Sequence, residues 1–292
     1  MLTGTHTAIV TPFRDGKLDE AALARLVEAQ LKGGVDGLVP VGTTGESPTL
    51  DYSEHLRVIE LTVQFAKGRV PVMAGTGANS TREAVYLTAE AARLGADATL
   101  QVAPYYNKPT PEGLYRHFRE IAESTRLPVI LYSIPGRCGV EIAVDTVRRL
   151  ASDCRNVIGI KEAGGNADRV SQLRAACGPR FTILSGDDSL TLPFMSVGAQ
   201  GVVSVAANVA PRLVSRMVRA FASGDPAGAR KRHAQLYPLF KDLFLETNPV
   251  PVKAALAMMG MMAEEYRLPL CPMASAHREQ LAATLRALRL LK

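Results

Sequence analysis

A regular alternation of two kinds of segment is the feature of this sequence that most constrains its fold. Short runs rich in apolar and β-branched residues occur about eight times, and longer stretches with helical periodicity lie between them. Apolar runs flanked by amphipathic helices are typical of parallel strands buried on both faces. The predicted strands are Thr7 to Val10, Gly37 to Val41, Val70 to Gly75, Ala98 to Val102, Pro128 to Tyr132, Val157 to Lys161, Phe181 to Ser185 and Gly201 to Val205.

The stretches between these strands have the length of ordinary helices. The predicted helices include Glu20 to Lys32, Ser53 to Lys67, Thr81 to Leu94, Glu112 to Ser124, Asp168 to Cys177 and Pro211 to Ser223. Alternating strands and helices imply an α/β fold with a parallel sheet. Eight repeats on short connections favour a closed (β/α)8 TIM barrel over a doubly wound sheet, and no G-x-G-x-x-G motif follows the first strand.

The chain is longer than such a barrel requires. It has 292 residues, whereas a typical (β/α)8 barrel has roughly 250. After Ser223 the sequence indicates about three further helices, interrupted at "NPVPVK" and "RLPLCPM". We therefore predict a barrel catalytic domain over residues 1–224 and a small C-terminal helical domain over residues 225–292. The apolar run from Ala254 to Met262 predicts that this appendage packs on the barrel.

Composition excludes several classes of protein. Hydrophobic residues make up 47% and charged residues 21% of the chain, which is typical of a folded globular protein. The net charge is +6, but the one dense basic run, residues 230–233, lies in a helical pattern without interleaved aromatic residues. A solvated helix face explains it better than a nucleic-acid site does.

Membrane and secretory signals are missing from the sequence. The start lacks the charged and apolar segments of a signal peptide, and the longest apolar stretch, Ala254 to Ala263, is far shorter than the roughly 20 residues that span a bilayer. The four cysteines include no C-x-x-C pair, so the sequence suggests neither a zinc site nor a disulfide framework. We expect a cytoplasmic protein with reduced thiols, no metal, no nucleic-acid partner and no membrane partner.

Lys161 is the most informative single residue. It ends an apolar strand in "VIGIKEAGGN", and in a barrel the C-terminal ends of the strands carry the functional groups. Burial lowers the pKa of an amine, and a neutral amine can attack a carbonyl to form a Schiff base. The alternative is a lysine paired with a neighbouring carboxylate such as Glu162 or Asp187. For a single strand-end lysine that alternative is the better one, but the residues at the other strand ends favour the nucleophile.

Polar residues follow several of the other strands. Tyr132 ends the adjacent strand and could shuttle protons near the amine, although a tyrosine there could also cap the core. Thr43 and Thr44 lie in a Gly-flanked loop that can bind a carboxylate or merely form a tight turn. Arg137 could bind a second carboxylate with both arms of its guanidinium or lie on the surface with an incidental partner. Tyr106 belongs to a stiff aromatic loop whose function would depend on a neighbouring subunit.

Four motifs occur in a fixed order at the ends of successive strands: "GTTGES", "APYYNKPTPEGLYRHF", "LYSIPGR" and "GIKEA". With "AGTGANST", "SGDDS", "GVVSVAANVAP" and "NPVPVK", this set resembles the dihydrodipicolinate synthase family of the N-acetylneuraminate lyase superfamily. The resemblance covers essentially the whole chain. It implies a class I, Schiff-base condensation of pyruvate with L-aspartate 4-semialdehyde to 4-hydroxy-tetrahydrodipicolinate. That reaction is the committed step of diaminopimelate and L-lysine biosynthesis, and it needs no cofactor.

The resemblance also implies roles for individual residues. Lys161 would form the Schiff base, Tyr132 would shuttle protons, and Thr43 would link Tyr132 to Tyr106 of a neighbouring subunit. Thr43 and Thr44 would hold the pyruvate carboxylate, and Arg137 would receive the carboxylate of the semialdehyde. The pyruvate pocket would also be lined by Gly186 and Val203.

Family members are usually homotetramers built from two tight dimers, and some bind L-lysine as a feedback inhibitor at the tight-dimer interface. The matching positions are Ser47, Pro48, Tyr52, His55, Asn79, Glu83 and Tyr105. Pro48 stands where alanine is frequent, and Tyr52 where histidine or another aromatic residue occurs. Around Arg137 this chain has Gly136 and Cys138 where the family often has hydroxyl residues, which puts second-substrate affinity in question.

Three alternatives were weighed against this function. Another Schiff-base lyase, acting on N-acetylneuraminate or a 2-keto-3-deoxy sugar acid, would share Lys161 and Tyr132 but tends to differ at Arg137 and Tyr106. A barrel that only binds a small acid would not need a desolvated amine. A phosphate-binding barrel is disfavoured, because Asp187 and Asp188 follow the seventh strand and would repel a phosphate.

Overall fold

The computed structural model describes residues 2–291 of the chain. Its main sheet has eight strands, all paired in parallel. They are β1 (Gly4–Ala8), β2 (Gly37–Val39), β3 (Met73–Gly75), β4 (Ala98–Val102), β5 (Val129–Ser133), β6 (Val157–Glu162), β7 (Thr182–Ser185) and β8 (Gly201–Ser204).

The sheet closes on itself. Its strands are ordered β2-β1-β8-β7-β6-β5-β4-β3, and a parallel bridge between Leu38 and Val72 joins the two ends. The Leu38 N–H donates to the carbonyl of Pro71 over 3.0 Å across this seam. The predicted (β/α)8 barrel is therefore confirmed.

Helices connect the strands. Those of six or more residues are α1 (Glu20–Gly33), α2 (Tyr52–Ala66), α3 (Thr81–Arg93), α4 (Pro111–Glu123), α5 (Val144–Asp153), α6 (Ala167–Cys177), α7 (Thr191–Ser196) and α8 (Pro211–Ala222). The sequence analysis did not include α5 and α7. Capping hydrogen bonds fix the starts of several helices. At α2 the Asp51 carboxylate accepts from the Glu54 N–H over 2.9 Å, and the Glu54 carboxylate accepts from the Asp51 N–H.

Two strand starts differ from the prediction by three residues, and the other strand boundaries differ by at most two. The first strand begins at Gly4 and not at Thr7, because the polar residues Thr5 and His6 are buried and pair with β8. The third strand begins at Met73 and not at Val70. Pro71 lacks the N–H that a strand interior needs, so regular pairing starts after it.

Two hydrophobic clusters form the core. The larger lies between the barrel and its helices and extends into the C-terminal segment. The smaller fills the inside of the barrel and consists of Ala8, Val39, Met73, Ala98, Leu100, Ile130, Tyr132, Leu184 and Val203. Tyr132 and Val203 therefore point into the barrel interior.

Three helices follow the barrel: α9 (Pro226–Asp242), α10 (Val250–Met258) and α11 (Ser275–Ala287). The Asp242 carboxylate at the end of α9 accepts from Gln280 over 2.7 Å and from Thr284 over 2.5 Å, both in α11. Apolar residues of all three helices belong to the larger core cluster. The boundary between residues 1–224 and 225–292 stays a prediction. Within residues 2–291, each helix is too short or too polar to cross a bilayer.

Candidate active site

Lys161 lies near the C-terminal end of β6, between two neighbouring strands. It pairs with Tyr132 of β5 on one side and with Leu184 of β7 on the other. Only 7% of Lys161 is exposed. Its Nζ lies 4.0 Å from the centroid of the Tyr132 ring. The parallel register of the barrel thus holds the amine against an aromatic face at the mouth of the barrel.

No carboxylate of residues 2–291 lies within ion-pair distance of this amine. Burial lowers the pKa of Lys161 to about 7, with the Asp188 charge raising it and the Arg137 charge lowering it further. At neutral pH a substantial fraction of the amine is therefore neutral and able to act as a nucleophile.

The two carboxylates named as alternative partners of Lys161 are occupied elsewhere. Glu162 accepts from the Arg169 side chain over 2.8 Å and from the Gly164 N–H over 2.7 Å. Asp187 accepts from the N–H and the hydroxyl of Ser189. The ion-pair explanation of Lys161 is therefore wrong, because Glu162 pairs with Arg169 of α6 and Asp187 accepts hydrogen bonds within its own loop.

Tyr132 is the second reactive group at this end of the barrel. Only 5% of it is exposed. Burial raises the pKa of the phenol, whereas the Arg137 charge and the Thr43 side chain act in the opposite direction. The proton therefore stays on the hydroxyl at neutral pH, where it can be donated or relayed.

A cavity of about 220 Å³ opens beside Tyr132. Thr43, Arg137 and Tyr132 line it together, as the sequence predicts for residues at the ends of different strands. Thr43 belongs to a single helical turn, Thr43–Gly45, that follows the second strand. The remaining lining residues include Val41, Gly42, Ser47, Pro48, Tyr105, Ile134 and Cys138.

Gly186 and Val203 are not among those lining residues. A Cβ atom at Gly186 would lie 2.6 Å from the Cβ of Ala163 and 3.1 Å from the Cε of Lys161. A glycine is thus needed there to leave room for the lysine side chain. Val203 is 1% exposed and packs in the cluster that contains Tyr132.

Asp188 is a buried carboxylate whose contribution the sequence analysis missed. It accepts from the N–H groups of Val205 and Ala206, each over 2.9 Å, and from the hydroxyl of Ser204. Burial raises its pKa to about 6, against the effect of these donors. The sequence predicts only that Asp188 would repel a phosphate. The paired aspartates of "SGDDS" are the one sequence signal that points to it.

Asn248 is a second residue that the sequence analysis missed. It lies just before α10, and its Nδ2 donates to Thr44 Oγ1 over 3.0 Å. Its main-chain carbonyl accepts from Arg137 over 3.2 Å. The motif "NPVPVK" is visible in the sequence, but nothing local shows that it reaches the mouth of the barrel.

The residues matched to a lysine-binding site fall into two cavities of this chain. Tyr52 and Glu83 line a surface cavity with Ser80, Arg82 and Tyr86. Ser47, Pro48 and Tyr105 line the cavity beside Tyr132 instead.

Two further positions of that set, Asn79 and His55, hydrogen bond to residues that line the cavity beside Tyr132. Asn79 Nδ2 donates to the carbonyl of Tyr105 over 3.2 Å. His55 is buried and hydrogen bonds through Nε2 to the carbonyl of Gly75 over 2.8 Å, so its ring is occupied. Burial, and to a lesser extent the Glu83 charge, raises the pKa of Tyr105.

Tyr106 lies outside the pocket of its own chain. It is 91% exposed and has a positive φ of 73°, an unusual conformation for a residue other than glycine. The structure therefore does not bring Tyr106 together with Thr43 and Tyr132 within one chain. Among residues 2–291, no cluster of three or more His, Cys, Asp or Glu side chains could hold a metal ion.

The fold and this pocket define the class of the protein, a (β/α)8-barrel enzyme with a buried lysine at the mouth of the barrel. Residues 1–288 match the dihydrodipicolinate synthetase family. The 4-hydroxy-tetrahydrodipicolinate synthase of Thermodesulfovibrio yellowstonii is 53% identical over 292 residues, which cover 100% of each chain. The chain belongs to the dihydrodipicolinate synthetase family and is a lyase.

Solved structures agree with this assignment. The 4-hydroxy-tetrahydrodipicolinate synthase from the methanotroph Methylacidiphilum fumariolicum SolV superposes with a TM-score of 0.97 at 55% identity, over 100% of both chains. The dihydrodipicolinate synthase of Acinetobacter baumannii, complexed with pyruvate, gives 0.97 at 44% over 100% of both chains. The enzyme from Cyanidioschyzon merolae, with lysine bound, gives 0.97 at 40% over 99% of both chains.

Proposed function

We propose that this enzyme condenses pyruvate with L-aspartate 4-semialdehyde through a Schiff base on Lys161, giving 4-hydroxy-tetrahydrodipicolinate. The observation that carries the proposal is the Lys161 amine, which is buried, unpaired within residues 2–291 and 4.0 Å from the Tyr132 ring. The pyruvate complex of the related A. baumannii synthase supports pyruvate as the first substrate. In this proposal the reaction is the committed step of diaminopimelate and L-lysine biosynthesis.

The chemistry begins with the neutral amine. Lys161 attacks the keto carbon of pyruvate, and the carbinolamine loses water to give an iminium. The iminium draws electrons from the methyl carbon, which loses a proton to give an enamine. That carbon then forms the new C–C bond with the aldehyde carbon of the second substrate. The amino group of that substrate attacks the iminium carbon, closes the ring and releases Lys161.

Protons must be moved at several of these steps. The Tyr132 ring lies beside the Lys161 amine, and the raised pKa of its phenol keeps a proton available for the departing water. In our proposal Thr43 connects Tyr132 to Tyr106 of a neighbouring subunit. The high exposure of Tyr106 supports an arrangement in which a second copy of the chain covers it.

Two sites receive the carboxylates of the substrates. Thr43 and Thr44 hold that of pyruvate, in a pocket bounded by Gly186 and Val203. Arg137 receives that of the semialdehyde and lines the same cavity as Thr43. The family hydroxyls beside Arg137 are replaced by Gly136 and by the buried Cys138, whose thiol has its pKa raised to about 11 by burial. Support for the guanidinium comes from the Asn248 carbonyl instead.

We further propose that L-lysine inhibits the enzyme between two copies of the chain. The surface cavity with Tyr52 and Glu83 offers a carboxylate for an ammonium group. Asn79 precedes Ser80 of this cavity, and its side chain donates to the carbonyl of Tyr105. The lysine-bound C. merolae structure supports this assignment. Exposed tyrosines at positions 52, 86, 105 and 106 support a homotetramer in which subunits meet on this side.

One assay tests both proposals. The wild-type enzyme is mixed with pyruvate and L-aspartate 4-semialdehyde, the consumption of both is followed, and the assay is repeated with increasing L-lysine. We expect equimolar consumption and inhibition by millimolar lysine, and weaker inhibition of Glu83→Gln with unchanged activity in the absence of lysine. Preferential cleavage of N-acetylneuraminate would overturn the proposed reaction, and flat activity with lysine would overturn the proposed regulation.

A further inference from the structure

A segment outside the barrel reaches both carboxylate sites. Asn248 lies between α9 and α10 and contacts Thr44 through its side chain and Arg137 through its main chain. In the proposed function, Thr44 holds the carboxylate of pyruvate and Arg137 that of the second substrate. Asn248 itself is 6% exposed, and Thr44 is 3% exposed. One buried residue of the C-terminal segment thus touches two substrate-binding residues of the barrel.

The direction of the hydrogen bond to Thr44 has a chemical consequence. Asn248 Nδ2 is the donor and Thr44 Oγ1 the acceptor, over 3.0 Å. A hydroxyl has one hydrogen and two lone pairs, so accepting from Asn248 leaves the hydrogen of Thr44 free to be donated elsewhere. A free hydroxyl hydrogen is what a carboxylate ligand requires. The opposite amide orientation would take up that hydrogen on Oδ1.

The observed orientation has a cost. Oδ1 of Asn248 is buried and has no hydrogen-bond partner among residues 2–291. A buried acceptor without a protein partner is unfavourable. The amide therefore gains one hydrogen bond to Thr44 while its other end stays unsatisfied.

The same barrel loop is held to the C-terminal segment at a second point. Glu46, two residues after Thr44, forms a fully buried ion pair with Lys253 of α10. The main-chain N–H of Arg267 donates to the other carboxylate oxygen of Glu46 over 3.3 Å. These contacts hold the loop that carries Thr44 against the C-terminal segment that carries Asn248.

We infer that Asn248 is a positioning residue that orients the Thr44 hydroxyl as a hydrogen-bond donor to the carboxylate of pyruvate. The inference rests on the proposed function, in which pyruvate binds at Thr44 and reacts with Lys161. It predicts that Asn248 acts on pyruvate binding through Thr44 and not through the stability of the fold. Its side chain should matter for pyruvate and much less for the second substrate, because Arg137 contacts only the main chain of Asn248.

The test measures the pyruvate concentration that gives half-maximal adduct after borohydride reduction, read by intact mass. We expect Asn248→Ala to raise that concentration about tenfold, in line with the loss of one hydrogen bond acting on a charged ligand. Asn248→Asp is nearly isosteric but accepts the Thr44 hydrogen and adds a negative charge, so a larger increase, roughly a hundredfold, is expected. Asn166→Asp, the same change at the start of α6, is the control and should leave the value unchanged.

A double-mutant cycle separates positioning from a structural role. In a Thr44→Val background the hydroxyl is gone, and Asn248→Ala should then change the half-maximal pyruvate concentration by less than about twofold. The melting temperatures and the KM for the semialdehyde should stay near their wild-type values. Equal effects in both backgrounds, or no effect of Asn248→Ala in the wild type, would overturn the inference.

The cycle also distinguishes two kinds of failure. If the wild-type enzyme forms no adduct with pyruvate, the proposed function fails, and this inference fails with it. If the wild type forms the adduct and Asn248→Ala binds pyruvate normally, only the role of Asn248 is wrong. Should Asn248→Asp fail to fold, the alanine cycle alone decides the question.

Discussion

Two buried lysines in different regions of the molecule have opposite surroundings. Lys253, at the junction between the barrel and the C-terminal helices, is fully buried and paired with Glu46. Its Nζ also lies 4.4 Å from the centroid of the Phe13 ring. Lys161, at the mouth of the barrel, is 7% exposed and has an aromatic ring beside it but no carboxylate partner within residues 2–291. Burial lowers the pKa of both amines.

The contrast shows that burial alone does not identify a reactive lysine. The charge of Glu46 and its hydrogen bond raise the pKa of Lys253 against the effect of burial. Lys161 has only the more distant Asp188 to favour its charged form, and Arg137 opposes it. A paired lysine connects two parts of the fold, whereas an unpaired lysine beside a cavity is available for chemistry.

The largest effect is expected from Lys161→Met. Removal of the attacking amine should lower kcat/KM by roughly 10⁴-fold or more and abolish the borohydride-dependent pyruvate adduct. Intact mass and steady-state kinetics measure both. A pyruvate adduct of normal yield in this variant would show that another lysine forms the Schiff base and that Lys161 is not the reactive lysine.

The same variant should be more stable than the wild type near neutral pH. The pKa of Lys161 is about 7 in the folded enzyme and 10.5 in the ordinary case, so between these values the unfolded chain binds more protons. The stability contribution of Lys161 therefore rises with pH through that window and is least favourable below it. Lys161→Met should raise the free energy of unfolding by about a few kcal/mol at pH 7. Near pH 10 the increase in the free energy of unfolding should be smaller.

Lys253→Met should have the opposite effect on stability. It leaves the Glu46 carboxylate buried without its partner, which is expected to cost about 3–5 kcal/mol of unfolding free energy in urea denaturation. Removal of both charges in Lys253→Met/Glu46→Gln should recover most of that loss. A loss below about 1 kcal/mol would mean that the buried pair does not hold the two regions together.

The sequence predicted the features that depend on local pattern. Apolar runs and amphipathic stretches gave the barrel, and strand ends gave Lys161, Tyr132, Thr43 and Arg137, three of which the structure places around one cavity. The parallel register that sets Lys161 beside Tyr132 follows directly from a closed barrel.

Features that depend on distant partners could not be predicted. Asn248 and Thr44 are separated by 204 positions, and Lys253 and Glu46 by 207, so no local pattern reveals either contact. Asp188 lies in a polar loop whose sequence does not show that its carboxylate turns inward toward the end of β8. The start of the first strand could not be predicted because the buried residues from Thr5 to Thr7 are polar and do not look like a buried strand.

The most direct test of the central claim is an NMR titration of the lysines, labelled with carbon-13 at Cε. Lys161→Met assigns the Lys161 signal by its loss, and Lys253→Met assigns that of Lys253. The account predicts that the Lys161 signal titrates with a midpoint near pH 7, and that its midpoint is unchanged in Lys253→Met. A Lys161 signal that stays fully protonated up to about pH 9, close to the range of ordinary lysines, would contradict it.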